Sequence, residues 1–111
     1  MWVIAKIKKN QEEIFKYNFD KKISNVKYYY PKIETLKKFS NKIKKKSINL
    51  LGDYIFCFIP EYVKFETNNF KFIKGLNYFL NNCFFEQKNI SNFIDICKTY
   101  DGRESDNMKI I

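Results

Sequence analysis

The stretch Asn49–Phe58, NLLGDYIFCF, decides the fold. A lysine-rich segment ends at Lys46, and after Gly52-Asp53 the chain enters an apolar run that is typical of a strand. Side chains in a strand alternate between the two faces of a sheet. The two resulting sets are Tyr54, Phe56, Phe58 on one face and Ile55, Cys57, Ile59 on the other.

Both faces of this predicted strand are apolar, so both need to be covered. Two interpretations follow. Either helices of the same domain bury both faces, or only one face is covered internally and the other forms a patch that binds a protein partner. In either case Gly52-Asp53 is expected to form the turn before the strand.

The chain of 111 residues fits one domain. Apolar residues make up 45% and aromatic residues 19%, which supplies a core and excludes global disorder despite 30% charged residues. No stretch approaches the roughly 20 apolar residues of a membrane span, and the N-terminus lacks a signal-peptide pattern. The sequence predicts a cytoplasmic, monomeric protein without membrane contact.

The net charge of +9 favours a polyanionic partner or an acidic protein surface. A second explanation stays open, since Lys, Ile, Asn, Phe and Tyr dominate the sequence and Arg103 is the only arginine. All five types have codons rich in A and T, so an AT-rich genome produces this composition for any function.

The residues that usually carry catalysis are few. Cys57, Cys83 and Cys97 are far apart and set among apolar residues, so we expect buried, reduced thiols. The chain has no histidine and no paired-cysteine spacing, which argues against a zinc site and histidine-based catalysis. The three glycines are too dispersed for a phosphate loop. We therefore expect a binding protein that is not an enzyme and has no cofactor or metal.

Short β-prone runs and helical patterns alternate along the chain. The predicted strands are Trp2–Ile7, Val26–Tyr30, Leu50–Ile59 and Leu76–Leu80. The predicted helices are one capped by Asn10 with Ile14, Phe15, Phe19 and Ile23 on its apolar face, a short one at Asn69–Lys74 ended by Gly75, and one at Asn92–Tyr100 capped by Ser91. The sequence thus predicts an α/β (α+β) sandwich with a mainly antiparallel four-stranded sheet and three helices, in the order β-α-β-β-α-β-α.

The segment Lys32–Lys46 allows two structures, a transient helix through Leu36, Phe39 and Ile43 or a mobile basic loop. Its function is equally open. The lysines from Lys37 to Lys46 either neutralise phosphates, which gives salt-sensitive affinity without sequence preference, or are solvated. No aromatic residue alternates with these lysines, as a base-stacking platform would require.

Four local motifs, in order, resemble the N-terminal domain of NusG-family transcription elongation factors, the family that includes the antiterminator RfaH. They are Trp2-Val3-Ile4, Leu50–Phe56, Ile73-Lys74-Gly75-Leu76 followed by Tyr78-Phe79-Leu80, and Ile90-Ser91 followed by Phe93–Cys97. The resemblance covers Met1 to Gly102. It implies a domain at residues 1–102 followed by a polar tail at 103–111, without the KOW domain of the family.

The resemblance also implies a function. Members bind the clamp helices of the largest RNA polymerase subunit through a hydrophobic patch and reduce pausing, and RfaH-like members touch non-template DNA near the transcription bubble. By motif, the polymerase-binding residues here would be Leu50, Leu51, Tyr54, Phe56, Tyr78 and Phe79. The nucleic-acid-binding residues would be Thr67, Asn68, Asn69, Lys71 and Lys74, and the lysine cluster adds Lys44, Lys45 and Lys46.

The alternative hypothesis is a free-standing basic α/β domain that contacts RNA or single-stranded DNA directly. It follows from the charge and the lysine cluster and does not require polymerase.

Overall fold

The computed structural model describes residues 1–39, 42–99, 104–105 and 108–110. Its strands and α-helices, in chain order, are β1 (Trp2–Ile7), α1 (Glu12–Lys22), β2 (Lys27–Tyr29), β3 (Lys32–Phe39), β4 (Lys42–Asn49), β5 (Tyr54–Phe58), β6 (Leu76–Phe79), α2 (Gln87–Thr99), β7 (Glu104–Ser105) and β8 (Met108–Ile110). Two short 3-10 helices lie at Thr67–Phe70 and Cys83–Glu86. Within the described residues, no helix is long and apolar enough to cross a membrane.

The first sheet has the strand order β2-β5-β1-β6 and is antiparallel throughout. The predicted mixed α+β domain with a four-stranded antiparallel sheet is therefore confirmed; its strands are the four predicted ones, β1 with the predicted bounds and the other three shorter. Strand β1 pairs with β5 on one edge and with β6 on the other, so it lies inside the sheet. Partly exposed and buried residues alternate along it.

One face of this sheet, called here the closed face, carries Ala5 and Cys57 and is covered by helix α1. Phe15 and Phe19 of α1 are fully buried against it, and their rings lie 5.3 Å apart. The connection between β5 and β6 adds the rings of Phe65 and Phe70, both within 6.3 Å of the Phe19 ring. The buried members of this core are Val3, Ala5, Ile7, Phe15, Phe19, Ile23, Ile55, Cys57, Ile59, Ile73, Leu76 and Phe79.

Helix α1 approaches the sheet very closely at Gly75. This glycine has a φ of 89°, and a Cβ atom at its position would lie 2.9 Å from the backbone nitrogen of Phe15. Only glycine combines such a φ with so little space. The motif that ends in Gly75-Leu76 therefore fixes the distance between α1 and the start of β6.

The cysteines lie where their apolar surroundings suggested. Cys57, Cys83 and Cys97 are buried free thiols. Burial raises the pKa of all three, and the pKa of the fully enclosed Cys57 rises well above its ordinary value.

The prediction of three helices is wrong, since the described residues contain two α-helices. The segment Asn69–Lys74 forms only the end of a 3-10 turn, because six residues are too few to stabilise an α-helix and Gly75 ends the segment. Asn10 does not cap α1, since it has a left-handed φ of 61° and the helix begins two residues later. Helix α2 begins at Gln87, five residues before the predicted start, because the preceding 3-10 turn continues directly into it.

Both structures predicted for Lys32–Lys46 are also wrong. Strands β3 and β4 form a hairpin. Lys32 pairs with Asn49 at one end of it, and Phe39 pairs with Lys42 at the other. Its base is closed by the Leu50 N–H, which donates to the Pro31 carbonyl at 2.9 Å. Backbone pairing stabilises a hairpin whatever its side chains, so a lysine-rich composition does not prevent it.

The predicted polar tail contains short strands where it is described. Strand β8 pairs antiparallel with β3, and β7 pairs with β8, which gives a second sheet of order β4-β3-β8-β7. The predicted helix end at Tyr100 and the domain boundary at Gly102 lie outside the described residues.

Candidate partner-binding site

The second face of the first sheet, called here the open face, carries Ile4 and Phe56 and is only partly covered. Helix α2 packs Ile90, Ile94 and the ring of Phe93 onto it, so that Phe56 is 2% exposed. The rings of Phe56 and Phe93 lie 5.8 Å apart. The helix covers the end of the face near Trp2 and leaves the end near Lys6 without a helix.

Gln87 fixes α2 on this face. The Trp2 N–H donates to the Gln87 Oε1 at 2.7 Å, and the Gln87 Nε2 donates to the Trp2 carbonyl at 2.6 Å. Strand β6 does not reach Trp2, because its end is marked by the Leu80 N–H donating to the Ile4 carbonyl. The side-chain amide therefore replaces the missing strand neighbour and satisfies both backbone groups of Trp2.

Where the cover of α2 ends, an apolar groove of about 300 Å³ opens. We call it the apolar groove; its lining residues are Ile4, Leu51, Phe56, Glu86, Asn89, Ile90 and Phe93. Five of the seven are apolar, and the two polar members, Glu86 and Asn89, are hydrogen-bonded to each other at 2.6 Å. The groove therefore offers an apolar floor with one carboxylate at its rim.

The turn before β5 brings Leu51 to the groove. Gly52 has a left-handed φ of 65°, and its N–H donates to the Asn49 carbonyl at 3.2 Å. The Tyr30 hydroxyl donates to the Gly52 carbonyl at 2.8 Å and holds the turn from the other side. Leu51 is 37% exposed at the tip of this turn. The predicted turn at Gly52 is thus confirmed.

Beside the groove, Tyr54, Lys6 and Tyr78 form a row across strands β5, β1 and β6. The register places Lys6 opposite both tyrosines. The Lys6 Nζ lies 4.9 Å from the centroid of the Tyr54 ring, and the two tyrosine hydroxyls are 3.4 Å apart. The hydrogen bond with Tyr54 raises the pKa of Tyr78. The row continues the open face with an amphipathic, cation-bearing surface.

A second cavity, called here the polar cavity, lies on the far side of Tyr78. It measures about 490 Å³, and its lining residues are Thr67, Asn68, Lys71, Asn77, Tyr78, Phe79 and Asn81. The lining thus includes three side-chain amides, two hydroxyl-bearing residues and an ammonium group. Phe72, next to Lys71 in sequence, is 98% exposed.

The structure brings most, but not all, of the predicted residues together. Leu51 and Phe56 line the apolar groove, with Tyr54 and Tyr78 beside it, and Leu50 lies half-buried in the turn. Phe79 does not share this surface, because it neighbours Tyr78 in β6 and therefore belongs to the closed face, where it is 6% exposed. Thr67, Asn68 and Lys71 line the polar cavity, whereas Asn69 and Lys74 are exposed outside its lining. Lys44, Lys45 and Lys46 lie on β4 of the hairpin.

Sequence reasoning missed several lining residues. Ile4 and Lys6 were predictable from the alternation of β1, since they share a face with Trp2. Ile90 and Phe93 belong to the apolar stripe of helix α2. The sequence pattern does not indicate which edge of that stripe stays exposed. Asn77 and Asn81 lie in or next to β6 and carry no signal that distinguishes them from other asparagines.

The described residues contain no group of three or more cysteine, aspartate or glutamate side chains arranged to hold a metal ion. No protein-family model matches this chain, and no curated protein sequence matches it at a significant level. The two cavities and the motifs of the sequence are therefore the features that point to a function.

Proposed function

We propose that this chain is a transcription elongation or antitermination factor of the NusG type, which binds the clamp helices of RNA polymerase through the open face and reduces pausing without catalysis. The observation that carries the proposal is the apolar groove beside the Tyr54–Lys6–Tyr78 row. A sheet face covered by its helix at one end only leaves apolar surface that a protein partner can bury.

The groove suits a helical partner. An amphipathic helix binds by laying its apolar side chains into a hydrophobic groove. Leu51 at 37% exposure and the half-buried Ile4 are available to such side chains. Lys6 and Glu86 lie at the edge of this surface and carry opposite charges. A partner helix with charges of both signs beside its apolar stripe would match them.

The polar cavity supports contact with non-template DNA in the same complex. Amide side chains such as those of Asn68 and Asn77 can donate to and accept from the edge of a base. Lys71 adds a cation for a phosphate. Because Tyr78 borders both the row and the polar cavity, a helix in the groove and a DNA strand in the cavity would be neighbours.

The test is binding of the purified chain to core RNA polymerase, measured by co-elution and by a competition assay with an isolated clamp-helix fragment. Leu51→Asp and Tyr54→Ala are expected to weaken binding at least tenfold, because each removes apolar contact at the groove. Ile14→Asp and Tyr17→Ala are matched controls, since Ile14 is 39% exposed and both residues lie on α1 behind the closed face.

Binding that is unaffected by the groove variants, or absent for the unmodified chain, would contradict the proposal. Thermal unfolding of each variant checks that the fold survives, which the exposure of Leu51 leads us to expect.

One observation favours the second candidate, a basic domain that contacts RNA or single-stranded DNA directly. Phe72, which follows the cavity residue Lys71 in sequence, is 98% exposed, and an exposed ring is a platform on which a base can stack. Phe72→Ala would then weaken binding of a single-stranded oligonucleotide by about tenfold or more, because one stacked base contributes roughly 1–3 kcal/mol. The polymerase proposal expects that variant to bind core polymerase in the absence of DNA normally.

A further inference from the structure

Strand β6 forms one edge of the first sheet, since the strand order is β2-β5-β1-β6. The Leu80 N–H donates to the Ile4 carbonyl of β1 at 2.9 Å, and Tyr78 lies opposite Lys6. The backbone groups of successive residues in a strand point to opposite edges, so those of Leu80 and Tyr78 face β1. The N–H and the carbonyl of Phe79, which lies between them, therefore point away from the sheet.

Asn77 adds a second unpaired position to this edge. The register shifts at Ile7, which lies opposite Leu76, so Asn77 is an extra residue of β6 with no partner in β1. Outside the β1–β6 ladder, no hydrogen bond among the described residues reaches the backbone of Asn77 or Phe79. The outer edge of β6 thus offers backbone donors and acceptors to a further strand.

The polar cavity runs along this edge. Its lining includes Asn77, Tyr78 and Phe79, three successive residues of β6. Side chains of successive residues point to opposite faces, so a cavity above one face would be lined by alternate residues only. The opposite wall comes from the 3-10 turn that begins at Thr67. A space of about 490 Å³ therefore lies beside the free backbone groups.

An extended peptide can use such an edge. Many proteins bind a peptide by adding it as a strand to an exposed sheet edge, where main-chain hydrogen bonds supply affinity and pockets for alternate side chains supply specificity. The first sheet is antiparallel throughout, and an antiparallel strand would continue it. A residue opposite Phe79 would exchange both backbone hydrogen bonds with it and share its face. The side chain of that residue, and of the residue two positions away, would therefore enter the polar cavity.

The polar cavity matches acidic side chains. Its lining contains the ammonium group of Lys71 and the amides of Asn68 and Asn81, all of which donate hydrogen bonds. The described lining includes no carboxylate. The acid nearest to it in sequence, Glu66, lies 4.0 Å from the Lys64 Nζ. A carboxylate on the added strand would therefore meet a cation and neutral donors.

A second copy of this chain is a poorer occupant of the edge. Each copy has a net charge of +9, so two copies repel each other. Pairing of two β6 edges would also place two cavities that each contain Lys71 against one another, and lysine beside an edge strand opposes such pairing. The same lysine attracts an acidic segment. Between two acids of that segment, a side chain would lie beside Tyr78, which is 49% exposed and favours an apolar neighbour.

We propose that an extended segment with acidic side chains at alternate positions, and apolar side chains between them, binds the free edge of β6 as a fifth strand of the first sheet. This goes beyond the function proposed above, because it needs neither polymerase nor DNA. The segment would fill the polar cavity, so the segment and a DNA strand would compete for that space.

The experiment measures binding of a labelled peptide of alternating glutamate and valine, about eight residues long, to the whole chain by fluorescence anisotropy. Two N-methylated forms of the peptide are the matched pair. Methyl groups on the glutamate nitrogens, which face β6, should weaken binding by about tenfold or more. Methyl groups on the valine nitrogens, which point away from β6, should leave binding unchanged. Equal effects of the two, or no binding of the unmodified peptide, would overturn strand addition.

Lys71→Glu tests the preference for acidic side chains. It should weaken binding of the glutamate–valine peptide by about fivefold and favour a lysine–valine peptide instead. Lys74→Glu is the matched control, because Lys74 is exposed and lies outside the cavity lining. Equal losses in both variants would show a diffuse charge effect and overturn the assignment of acids to the cavity. Thermal unfolding of both variants checks that the fold is intact.

Amide hydrogen exchange measured by NMR locates the bound peptide. The Phe79 N–H should become protected on binding, whereas the Tyr78 N–H, which already faces β1, should change little. Protection confined to another part of the chain would overturn the proposal. Leu51→Asp should leave peptide binding unchanged, which separates this proposal from the one for polymerase.

Two other occupants are tested in parallel. Analytical ultracentrifugation of the chain alone should show a monomer, and a dimer that protects the Phe79 N–H would make a second copy the occupant. A single-stranded oligonucleotide that protects the Phe79 N–H more strongly than the peptide would equally overturn the choice of partner.

Discussion

The closed face and the open face of the first sheet are formed by alternate residues of the same strands. On the closed face Val3, Ala5 and Ile7 are at most 2% exposed under α1. On the open face their neighbours Trp2, Ile4 and Lys6 are each partly exposed, although α2 packs on the same side. The sequence pattern of the strands is apolar on both faces. A face becomes part of the core only where a helix covers it.

The difference lies in how much of each face a helix reaches. Helix α1 inserts two phenylalanines that meet further rings from the β5–β6 connection and the sheet. Helix α2 packs on Phe56, whereas Lys6, Tyr54 and Tyr78 are not part of that cluster. The closed face is therefore expected to determine stability, and the open face to determine binding.

The largest expected effect is on the closed face. Phe19 is fully buried, with ring centroids 5.4 Å from Phe79 and 6.1 Å from Phe70. Phe19→Ala should lower the free energy of unfolding by about 3–5 kcal/mol, because it leaves a cavity among packed rings. Tyr78→Ala, on the open face, should cost less than about 1 kcal/mol. Denaturant unfolding measures both, and similar losses would abolish the distinction between the faces.

Gly52 and Gly75, both with positive φ, provide the next comparison. Gly75→Ala should destabilise by about 3 kcal/mol, since the new Cβ meets the Phe15 backbone in addition to adopting an unfavourable φ. At Gly52, before the open face, a Cβ would meet nothing within 4 Å. Gly52→Ala should therefore cost only the left-handed conformation, about 1 kcal/mol. Equal costs in thermal unfolding would show that the close approach of α1 does not matter.

Gln87 tests how α2 is held on the open face. Gln87→Ala leaves both the N–H and the carbonyl of Trp2 without their side-chain partner, which should cost about 1–3 kcal/mol. Asn89→Ala, two residues further along α2, removes only an exposed hydrogen bond to Glu86 and serves as the control. Hydrogen exchange should show faster opening of α2 in the Gln87 variant while α1 stays protected.

Some of this architecture was readable from the sequence. The alternation Tyr54–Phe58 predicted both the strand and its two apolar faces, because a period of two is decided locally. Neither that alternation nor the apolar stripe of α2 predicts how far the helix extends across the sheet. The position of the groove depends on where Gln87 attaches to Trp2, a contact between residues that are distant in the chain.

The basic hairpin was missed for a different reason. Its residues have weak β propensity, and its pairing comes from backbone hydrogen bonds between strands that the composition does not reveal. Two signals were present, the proline at Pro31 before the first strand and the two residues that separate Phe39 from Lys42, a length typical of hairpins. For the open-face residues, the strand position of Tyr78 was predictable, but the placement of Phe79 on the opposite face required the register.

The enclosed thiol of the closed face predicts a pH dependence. Burial raises the pKa of Cys57 above its value in the unfolded chain, near 9.0. The unfolded state therefore loses the proton first as pH rises, so this contribution to stability is complete below pH 9 and falls above it. The loss cannot exceed about 1.4 kcal/mol per pH unit for one group. Unfolding of Cys57→Ala should fall less steeply above pH 9 than unfolding of the unmodified chain, and an unchanged slope would contradict this origin.

The smallest expected effect on stability is at the Tyr54–Tyr78 hydrogen bond of the open face. Tyr54→Phe keeps the ring over which the Lys6 Nζ lies and removes only the hydroxyl, so stability should change by less than about 0.5 kcal/mol. The pKa of Tyr78 should fall towards its ordinary value, because its raised pKa has that hydrogen bond as its main cause. An ultraviolet titration of the phenolates measures the shift. Tyr62→Phe, whose hydroxyl is bonded to Asn25 elsewhere, is the control and should leave the Tyr78 titration unchanged. A large loss of stability in Tyr54→Phe, with no change at Tyr78, would mean that the open face also supports the fold and is not reserved for a partner.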